Sequence, residues 1–253
     1  MKEVMAVVNQ KGGVGKSTTA INLGASLVEL GKKVLLIDID PQGNASSGVG
    51  LNKKEIEKCI YDVLVNDCSL EEVIVNTELI NFDLVPATLE LAGAEIELVS
   101  KLSREERLKQ AFQKNSLEYD YVLIDCPPSL SLLTLNALTA ADSILVPIQC
   151  EYYALEGLSQ LLSTIELVKG NLNQNLELGG VVLTMYDART NLSQQVRDEV
   201  NNYFEEQVYE TIIPRNVRLS EAPSFGQPIN LYDNSSTGAK AYLSLAKEVV
   251  DSE

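Results

Sequence analysis

A glycine-rich segment with two lysines follows the first apolar run of the chain. It reads Lys11-Gly12-Gly13-Val14-Gly15-Lys16-Ser17-Thr18 and lies between a predicted strand, Val4–Asn9, and a predicted helix, Ser17–Leu30. Glycines at this spacing let backbone N–H groups converge on phosphate oxygens without interference from Cβ atoms. Lys16 is placed to bridge the β- and γ-phosphates, Ser17 to bind Mg²⁺, and the helix N-terminus to attract the anion. The segment therefore predicts a nucleoside triphosphate site.

This segment departs from the strict Walker A pattern, G-x-x-x-x-G-K-[ST]. The pattern requires glycine where the chain has Gln10, and an additional lysine stands at position 11. The alternative is a glycine-rich turn before an ordinary helix. The presence of strand, loop, Lys-Ser pair and helix together favours the phosphate site.

Two further predicted strands end in acidic residues. Val34–Asp38 continues into Asp40, and Tyr121–Asp125 is followed by Cys126 and two prolines. An apolar strand that ends in aspartate beside a phosphate loop is the Walker B arrangement, so we expect Asp125 to hold Mg²⁺ through water. Asp38 and Asp40 are two residues apart and share a face, so one is expected to position or deprotonate water while the other supports the metal or Lys16. The alternative is that these acids only cap the turns that follow.

The composition limits the chemistry that the chain can perform. Its 253 residues include no histidine, which excludes Ser-His-Asp triads, Cys-His dyads and His-ligated zinc. In-line attack by a carboxylate-positioned water needs no histidine. The formal net charge of −16 argues against a nucleic-acid coat but leaves room for a local basic patch. The four cysteines lack C-x-x-C spacing and no long apolar segment is present, so we expect a cytoplasmic protein with cysteines in its core.

Short apolar runs alternate with amphipathic segments along the whole chain. The other predicted strands are Phe82–Val85, Ser143–Pro147, Gly180–Thr184 and Glu210–Ile213. The other predicted helices are Leu89–Val99, Arg104–Lys114, Leu130–Ala140, Leu155–Val168, Ser193–Glu206 and Gly238–Val250. Gly31 predicts the end of the first helix, and Ser103 with Glu106 has the spacing of a capping box. The alternation predicts a single-domain α/β fold, with a mostly parallel sheet flanked by helices on both faces and ligands at the carboxyl ends of its strands.

Five segments together resemble one family over essentially the whole chain. They are Lys11–Ser17 with its additional lysine, Asp38-Ile39-Asp40-Pro41-Gln42-Gly43-Asn44, Asp125-Cys126-Pro127-Pro128-Ser129, Gln149-Cys150-Glu151-Tyr152-Tyr153-Ala154-Leu155-Glu156-Gly157, and Ile213-Pro214-Arg215-Asn216-Val217-Arg218-Leu219-Ser220-Glu221-Ala222-Pro223. The chain is similar to the deviant Walker A ATPases that partition chromosomes and plasmids, the ParA/Soj family, and within it to the short Soj type.

The resemblance implies an ATP-dependent sandwich homodimer that uses ATP and Mg²⁺, with slow basal hydrolysis. It implies that Lys11 reaches the partner subunit's phosphates, that Asp40 is the hydrolytic carboxylate, and that Asp125 is the Walker B acid. Glu151 is implied to approach the opposite nucleotide. The implied sites are as follows: Lys11, Lys16 and Asp40 for catalysis; Lys11, Gly12, Gly13, Val14, Gly15, Lys16, Ser17, Thr18, Pro214 and Asn216 for the nucleotide; and Ser17, Asp38 and Asp125 for the metal.

The family also implies non-specific binding of double-stranded DNA by the ATP-bound dimer, through Arg189 and Arg218. In the sequence, Arg189 lies in a polar turn after a strand, and Arg218 stands near Arg215 in a half of the chain that is poor in basic residues. The alternative is that these arginines only form surface ion pairs. The implied activating partner is a ParB/Spo0J-type centromere-binding protein with a basic segment, and the implied location is the cytoplasm at the nucleoid.

Three other classes share features with this sequence. A MinD-like cell-division ATPase would need a basic amphipathic C-terminal helix for the membrane, whereas this chain ends in acidic residues, so core packing and no stable membrane association are expected. An iron-protein-like electron carrier would need two cluster cysteines, for which Cys126 and Cys150 are the candidates. A metabolic kinase is the remaining alternative. Because the chain begins at its first strand, we expect a single ATPase domain over residues 1–253 without an N-terminal helix-turn-helix extension.

Overall fold

A β-sheet runs through the centre of the structure, a computed structural model that describes residues 3–152 and 158–252. Its strands are β1 (Glu3–Val7), β2 (Val34–Asp38), β3 (Val75–Asn76), β4 (Phe82–Val85), β5 (Tyr121–Asp125), β6 (Ser143–Gln149), β7 (Glu177–Tyr186) and β8 (Val208–Pro214). Among the described residues the strand order is β3-β4-β2-β5-β1-β6-β7-β8. Only the two-residue β3 is antiparallel to its neighbour. The predicted mostly parallel α/β fold is confirmed.

Helices cover both faces of this sheet. They are α1 (Lys16–Glu29), α2 (Asn44–Gly48), α3 (Ile60–Asn66), α4 (Leu91–Glu97), α5 (Arg107–Lys114), α6 (Leu132–Ala140), α7 (Leu158–Asn171), α8 (Asn191–Phe204), α9 (Val217–Glu221), α10 (Ile229–Tyr232) and α11 (Thr237–Asp251). One apolar core lies between the sheet and α1, α10 and α11. A second core lies between the sheet and α3 to α8. Alternate strand residues therefore enter different cores, which explains the continuous apolar runs in the sequence.

The seven predicted strands are all present. The differences are the additional two-residue β3, the ends of several strands and helices, and the short helices. Gly31 ends α1 as predicted: its φ is +81°, and the Lys32 N–H donates to the Leu27 carbonyl. The capping box at Ser103 is wrong. Ser103 has a φ of +48° within a turn, and α5 begins only at Arg107. The predicted start of a helix at Leu155 and the motif residues 153–157 lie outside the described residues.

The last helix packs into the core rather than presenting an apolar face to solvent. Tyr242, Leu245 and Val249 of α11 are buried against α1 and the sheet. The Tyr242 hydroxyl lies 3.2 Å from that of Thr19 on α1. This confirms the expectation that the C-terminal helix serves core packing. Within 3–152 and 158–252, no helix has the length and apolarity needed to cross a membrane.

Strand register places the two acid-bearing strand ends beside the end of β1. Asp38, at the end of β2, is in register with Asp125, at the end of β5. Asp125 is also in register with Val7, where β1 leads into the glycine-rich loop. The phosphate loop and both acids therefore meet at one edge of the sheet, as the parallel fold predicts.

Close packing of α1 on the sheet gives the first testable prediction. A Cβ atom added at Gly24 would lie 2.7 Å from Phe82 Cε2 and 3.3 Å from Leu123 Cδ1. We expect Gly24→Ala to lower the free energy of unfolding by about 1–3 kcal/mol, because a well-packed core does not accept an extra methyl group without strain. Denaturant unfolding followed by circular dichroism measures the change.

Gly170 provides the matched control because it is also helical but has no atom within 4 Å of its added Cβ. We expect Gly170→Ala to leave stability unchanged or to raise it by up to about 1 kcal/mol, since alanine restricts the unfolded chain. Equal effects of the two substitutions would contradict the packing argument.

Candidate functional site

The glycine-rich loop between β1 and α1 has the backbone conformation that its glycines predict. Gly13 and Gly15 have φ values of +78° and +93°, which L-residues with a side chain adopt only with strain. The loop is tied to neighbouring strands by the side chains of Asn9 and Thr184. Asn9 Nδ2 donates to the Pro147 carbonyl at 2.8 Å, and Thr184 Oγ1 donates to the Val14 carbonyl at 2.8 Å. The loop is thus held open at the amino end of a 14-residue helix.

Lys16 lies inside this loop and is only 7% exposed. Its ammonium donates to the Lys11 carbonyl at 3.1 Å. Burial lowers the pKa of Lys16, and the nearby carboxylate of Asp125 opposes that shift. A buried ammonium at the N-terminus of a helix is suited to an anionic ligand, because the ligand's negative charge compensates the solvation that the ammonium loses on burial.

A cavity of about 470 Å³ opens in front of the loop. Its polar lining includes Lys16, Ser17, Thr18, Asp40, Gln42 and Asn44. An adjoining cavity of about 420 Å³ contains Pro214 and Asn216, and Gly15, Thr18, Met185 and Pro223 line both cavities. The two together form a continuous cleft with a polar half and a more apolar half, which suits a phosphorylated nucleoside.

A different cavity, of about 540 Å³, lies at the opposite edge of the sheet. Its lining includes Glu3, Asp142 and Glu177. Carboxylates at these positions would repel phosphate groups. We therefore assign the phosphate site to the loop cavity, although it is the smaller of the two.

Asp125 is the acid best placed to hold a divalent cation. It is fully buried, and neither carboxylate oxygen has a hydrogen-bond partner of standard geometry among the described residues. Burial raises the pKa of Asp125 well above its ordinary value; the charge on Asp38 adds to the shift, and the nearby Ser17 hydroxyl opposes it. A carboxylate left without a partner in the interior is costly unless a cation or proton compensates it.

Asp38 has a different environment from Asp125. Its Oδ2 accepts hydrogen bonds from the Ser46 N–H at 2.8 Å and from the Ser46 hydroxyl at 2.7 Å, and its Oδ1 accepts one from the Asp40 N–H at 3.1 Å. Burial raises the pKa of Asp38 to about 6, although the bonds from Ser46 lower it. Its position beside Asp125 was expected, but its oxygens are engaged in fixing the loop that carries Asp40.

Asp40 lies on that loop and lines the phosphate cavity. Its Oδ1 accepts a hydrogen bond from the Gln42 N–H at 2.9 Å, and its carbonyl accepts one from the Gly43 N–H at 2.8 Å. Gly43 has a φ of +59°, and a Cβ there would approach the Ala87 carbonyl to 2.9 Å. The loop is therefore fixed by a tight turn that presents one carboxylate to the cavity.

Lys11 extends away from this cavity and forms an ion pair with Glu151. Both side chains are about one-third exposed, with exposed fractions of 33% and 37%. The Lys11 N–H donates to Asn9 Oδ1 at 2.9 Å, so the backbone of this residue is fixed while its side chain reaches the surface. The pair joins two residues that the family resemblance implies to be near the opposite nucleotide.

Pro214 and Asn216 lie together in the second half of the cleft, as expected. The Asn216 amide is already committed to this chain: its Oδ1 accepts from the Arg218 N–H at 2.8 Å and its Nδ2 donates to Thr237 Oγ1 at 2.6 Å. Asn216 thus caps α9 and links it to α11. Met185 lines both halves of the cleft and has a φ of +52°. The sequence motifs did not indicate this residue.

Arg189 and Arg218 lie on the surface, outside the cavity lining, and both form ion pairs. Arg189 binds both carboxylate oxygens of Asp187, and this pairing holds the pKa of Asp187 well below its usual range. Arg218 pairs with Glu221 at 2.8 Å and with Asp233 at 3.5 Å. Arg215 is exposed, and no ion pair within 4.0 Å involves it in the part of the chain that the structure describes. Sequence inspection noted Arg215 but did not include it among the site residues.

The four cysteines are free thiols. Cys126 and Cys150 are both buried, and burial raises the pKa of the Cys150 thiol to about 11. No group of three or more histidine, cysteine, aspartate or glutamate residues is arranged to hold a metal within residues 3–152 and 158–252. Cys59 is buried as well, whereas Cys68 is only half-buried, so three of the four cysteines are core residues as predicted.

Comparison with known proteins identifies similar chains over nearly the whole length. The family model described as an AAA domain matches residues 2–178. The chain is 61% identical to the sporulation initiation inhibitor protein Soj of Bacillus subtilis, covering 98% of each chain, and 57% identical to the chromosome partitioning protein ParA of Myxococcus xanthus, covering 98% of this chain and 87% of that one. The structure of cobyrinic acid a,c-diamide synthase from Mycobacterium smegmatis with bound ADP and magnesium matches with a TM-score of 0.87 at 40% identity, covering 99% of this chain and 94% of that one.

Proposed function

The chain belongs to the family of the chromosome-partitioning ATPases Soj and ParA, and we propose that it partitions DNA through a cycle driven by ATP. In this cycle the chain binds MgATP, forms a nucleotide sandwich homodimer that binds DNA non-specifically, and hydrolyses ATP when a ParB-type centromere-binding protein activates it. The whole span 1–253 acts as one ATPase domain. The observation that carries the proposal is the open cavity in which Lys16, Ser17 and Asp40 meet beside the buried Asp125, whose oxygens have no hydrogen-bond partner of standard geometry among the described residues.

The residues around the cavity suit ATP with Mg²⁺. The N–H groups of the Gly12–Lys16 loop would bind the triphosphate together with those of the first turn of α1, which have no partners inside the helix. The Lys16 ammonium would neutralise part of the phosphate charge. Ser17 and Asp125 would hold Mg²⁺, which supplies neutralisation of the phosphate charge. Mg²⁺ in nucleotide sites keeps several waters and takes few protein carboxylates, so one free buried carboxylate and one hydroxyl fit it.

Asp40 is the residue that we assign to hydrolysis. Its carboxylate faces the cavity, where it can orient the attacking water and accept its proton. Asp38 is assigned a positioning role because it holds the Asp40 N–H and the start of α2 through three hydrogen bonds. This differs from the expectation that Asp38 is one of the metal residues.

Lys11 is assigned to the partner subunit's nucleotide. In the single chain its ammonium is neutralised by Glu151, so it makes no contribution to its own phosphate cavity. Formation of the dimer would exchange this partly exposed ion pair for a contact with phosphate, which carries more negative charge than a carboxylate. Because Lys11 would contact the phosphates only across the dimer interface, hydrolysis would then depend on dimer formation.

DNA binding is assigned to Arg189 and Arg218 of the ATP dimer. A chain with a net charge of −16 can hold phosphates only where cations are concentrated, and Arg215 adds an exposed guanidinium near Asp187. Each paired arginine must exchange a carboxylate for a phosphate, so the affinity should be modest and strongly dependent on salt. Doubling the surface in the dimer provides the necessary avidity.

A binding experiment tests this assignment. With ATP, we expect Arg218→Ala to weaken DNA retention and to reduce the slope of log affinity against log salt by about 2 per dimer, since each phosphate contact contributes about 0.9. Asp187→Asn should strengthen binding because it releases Arg189 from its bidentate partner. Fluorescence anisotropy with a short DNA duplex over a range of salt concentrations measures both effects.

Lys33→Ala is the control, because it removes one positive charge just before β2, at the opposite edge of the sheet from the nucleotide cavity. It should leave the salt slope unchanged. An Arg218→Ala protein with unchanged affinity and salt slope, and with normal ATPase activity, would disprove the DNA assignment.

The activating partner and the cellular location follow from the same chemistry. An acidic surface attracts a basic segment, and that attraction should weaken as salt rises. We propose a cytoplasmic location at the nucleoid, because the dimer would associate with DNA. The buried face of α11 gives no support to a membrane-binding role of the MinD type.

A further inference from the structure

One stretch of the surface carries large apolar side chains that the core does not use. Leu89, Ile96, Val99 and Leu102 are 72%, 78%, 57% and 92% exposed, and we call these four residues the α4 patch. The opposite side of the same segment, with Leu91, Ala94 and Leu98, is fully buried. Ile96 on α4 and Val99 in the single helical turn after it are three residues apart and lie on one side of the segment, while Leu89 and Leu102 lie in the turns that flank it. Several large exposed apolar side chains within one short surface segment are typical of an interaction surface.

The surroundings of the α4 patch are acidic. Residues 89–106 contain five glutamates and two basic residues. Both basic side chains are engaged with this chain: Lys101 Nζ donates to the Val65 carbonyl at 3.0 Å, and Arg104 donates to the Val99 carbonyl at 2.9 Å and pairs with Glu105. Glu90 and Glu97 are exposed beside the apolar groups. A complementary ligand therefore has an apolar face with lysine or arginine at its edges.

The backbone that leads into the α4 patch is hydrogen-bonded to the hydrolytic loop. The Ala87 N–H donates to the Ser46 hydroxyl oxygen at 3.0 Å, and that hydroxyl donates to Asp38 Oδ2 at 2.7 Å. Asp38 in turn accepts the Asp40 N–H. All of these groups are buried, and Ala87 lies two residues before Leu89. A displacement of the segment that begins at Leu89 would therefore act on the position of Asp40.

We propose that the α4 patch is the docking surface for a basic amphipathic helix of the activating partner, and that the Ala87–Ser46–Asp38 hydrogen bonds transmit docking to Asp40. This inference rests on the proposed function, because it assigns a site to the activator that the partitioning cycle requires. The apolar side chains give affinity, and the glutamates orient the basic helix. Ser46 is a positioning residue, since it acts on water only through Asp38 and Asp40.

The test uses the full chain with the ParB-type centromere-binding protein of the same organism as the probe. We expect the double variant Ile96→Ser/Val99→Ser to raise the partner concentration needed for half-maximal ATPase stimulation by about tenfold or more, because central apolar anchors dominate such interfaces. Its basal ATPase rate and its ATP-dependent DNA retention should equal those of the wild type. Ile80→Ser, which removes an equally exposed isoleucine (82%) from the β3–β4 connection, is the matched control and should respond normally.

A second variant separates docking from transmission. Ser46→Ala should bind the partner with unchanged affinity in pull-down or anisotropy measurements, while the ratio of stimulated to basal ATPase falls towards one. A purely structural role of Ser46 would lower the basal and stimulated rates equally and leave that ratio intact, which would overturn the transmission step.

The remaining outcomes distinguish the two proposals. Normal stimulation of the Ile96→Ser/Val99→Ser protein would overturn the docking site and leave the partitioning function in place. Loss of the ATP-dependent dimer in this variant would show that a second copy of the chain covers the α4 patch, and would also overturn it. Failure of the partner to stimulate the wild type would refute the activation step of the proposed function itself, and the docking inference with it.

Discussion

Asp40→Ala is expected to slow ATP hydrolysis by about 10²-fold or more while the ATP-bound dimer remains on DNA. Removal of a positioned proton acceptor typically costs between about 10² and 10⁴ in rate. The side chain lines the cavity, and among the described residues the one hydrogen bond it accepts comes from the Gln42 N–H, so its loss should leave the nucleotide-binding loop intact. The Asp40→Ala protein should then accumulate in the state before hydrolysis.

Three measurements on the same sample check this expectation. They are phosphate release, size-exclusion chromatography with light scattering, and retention on immobilised DNA, each with ATP and with ADP. Asp198→Ala is a suitable control because Asp198 is an exposed acid on α8 that accepts a side-chain hydrogen bond from Gln194 and does not line the nucleotide cavity. If the Asp40→Ala protein stayed monomeric and did not bind DNA in the presence of ATP, the assignment of Asp40 to hydrolysis alone would be refuted.

Lys16→Ala should reduce ATP affinity by about 10²-fold or more. A buried ammonium that makes charge-assisted hydrogen bonds contributes roughly 1.5–3 kcal/mol, and its loss also leaves the phosphate charge uncompensated in a partly dehydrated site. The side chain is 7% exposed and donates a hydrogen bond to the Lys11 carbonyl within the loop. Titration with a fluorescent ATP analogue in the presence of Mg²⁺ measures the affinity.

Lys11→Ala provides the matched comparison, since it removes the other lysine of the same loop. Its ammonium is paired with Glu151 at the surface, and its carbonyl, which accepts the Lys16 hydrogen bond, is retained in alanine. We expect nearly normal ATP binding by the monomer but loss of the ATP-dependent dimer in light scattering. Equal losses of ATP affinity in the two variants would show that Lys11 serves its own nucleotide, contrary to the assignment.

The fold was largely predictable because its strands are buried on both faces. Short continuous apolar runs such as Leu35–Ile37 and Val122–Ile124 are typical of strands that are covered on both faces. All seven predicted strands are present, and these residues are fully buried. The two-residue β3, the seven-residue α3 and the short helices α2, α9 and α10 were not predicted. Elements of two to seven residues have too few side chains to show a clear period, and tertiary contacts determine whether they form.

The phosphate loop was predictable for a related reason. A contiguous motif such as Gly12–Ser17 carries both its ligand-binding groups and its backbone requirements within a few residues, so the fold does not need to be known. The α4 patch shows the opposite case. The spacing of Leu89–Val99 predicts a helix, but only the packed structure shows that Ile96 and Val99 are left outside the core.

By itself, the sequence determined the family, the fold class, the triphosphate loop and the set of acids near it, because these depend on local residue type and on strand order. The tertiary structure decided the separate roles of those acids. Asp38 and Asp125 end equivalent strands in register, yet Asp38 accepts three hydrogen bonds and Asp125 has no partner of standard geometry among the described residues. The difference comes from Ser46, eight residues beyond Asp38, which the turn at Gly43 folds back onto one carboxylate and not onto the other. Such a contact depends on the path of the chain in space, so no spacing rule in the sequence predicts it.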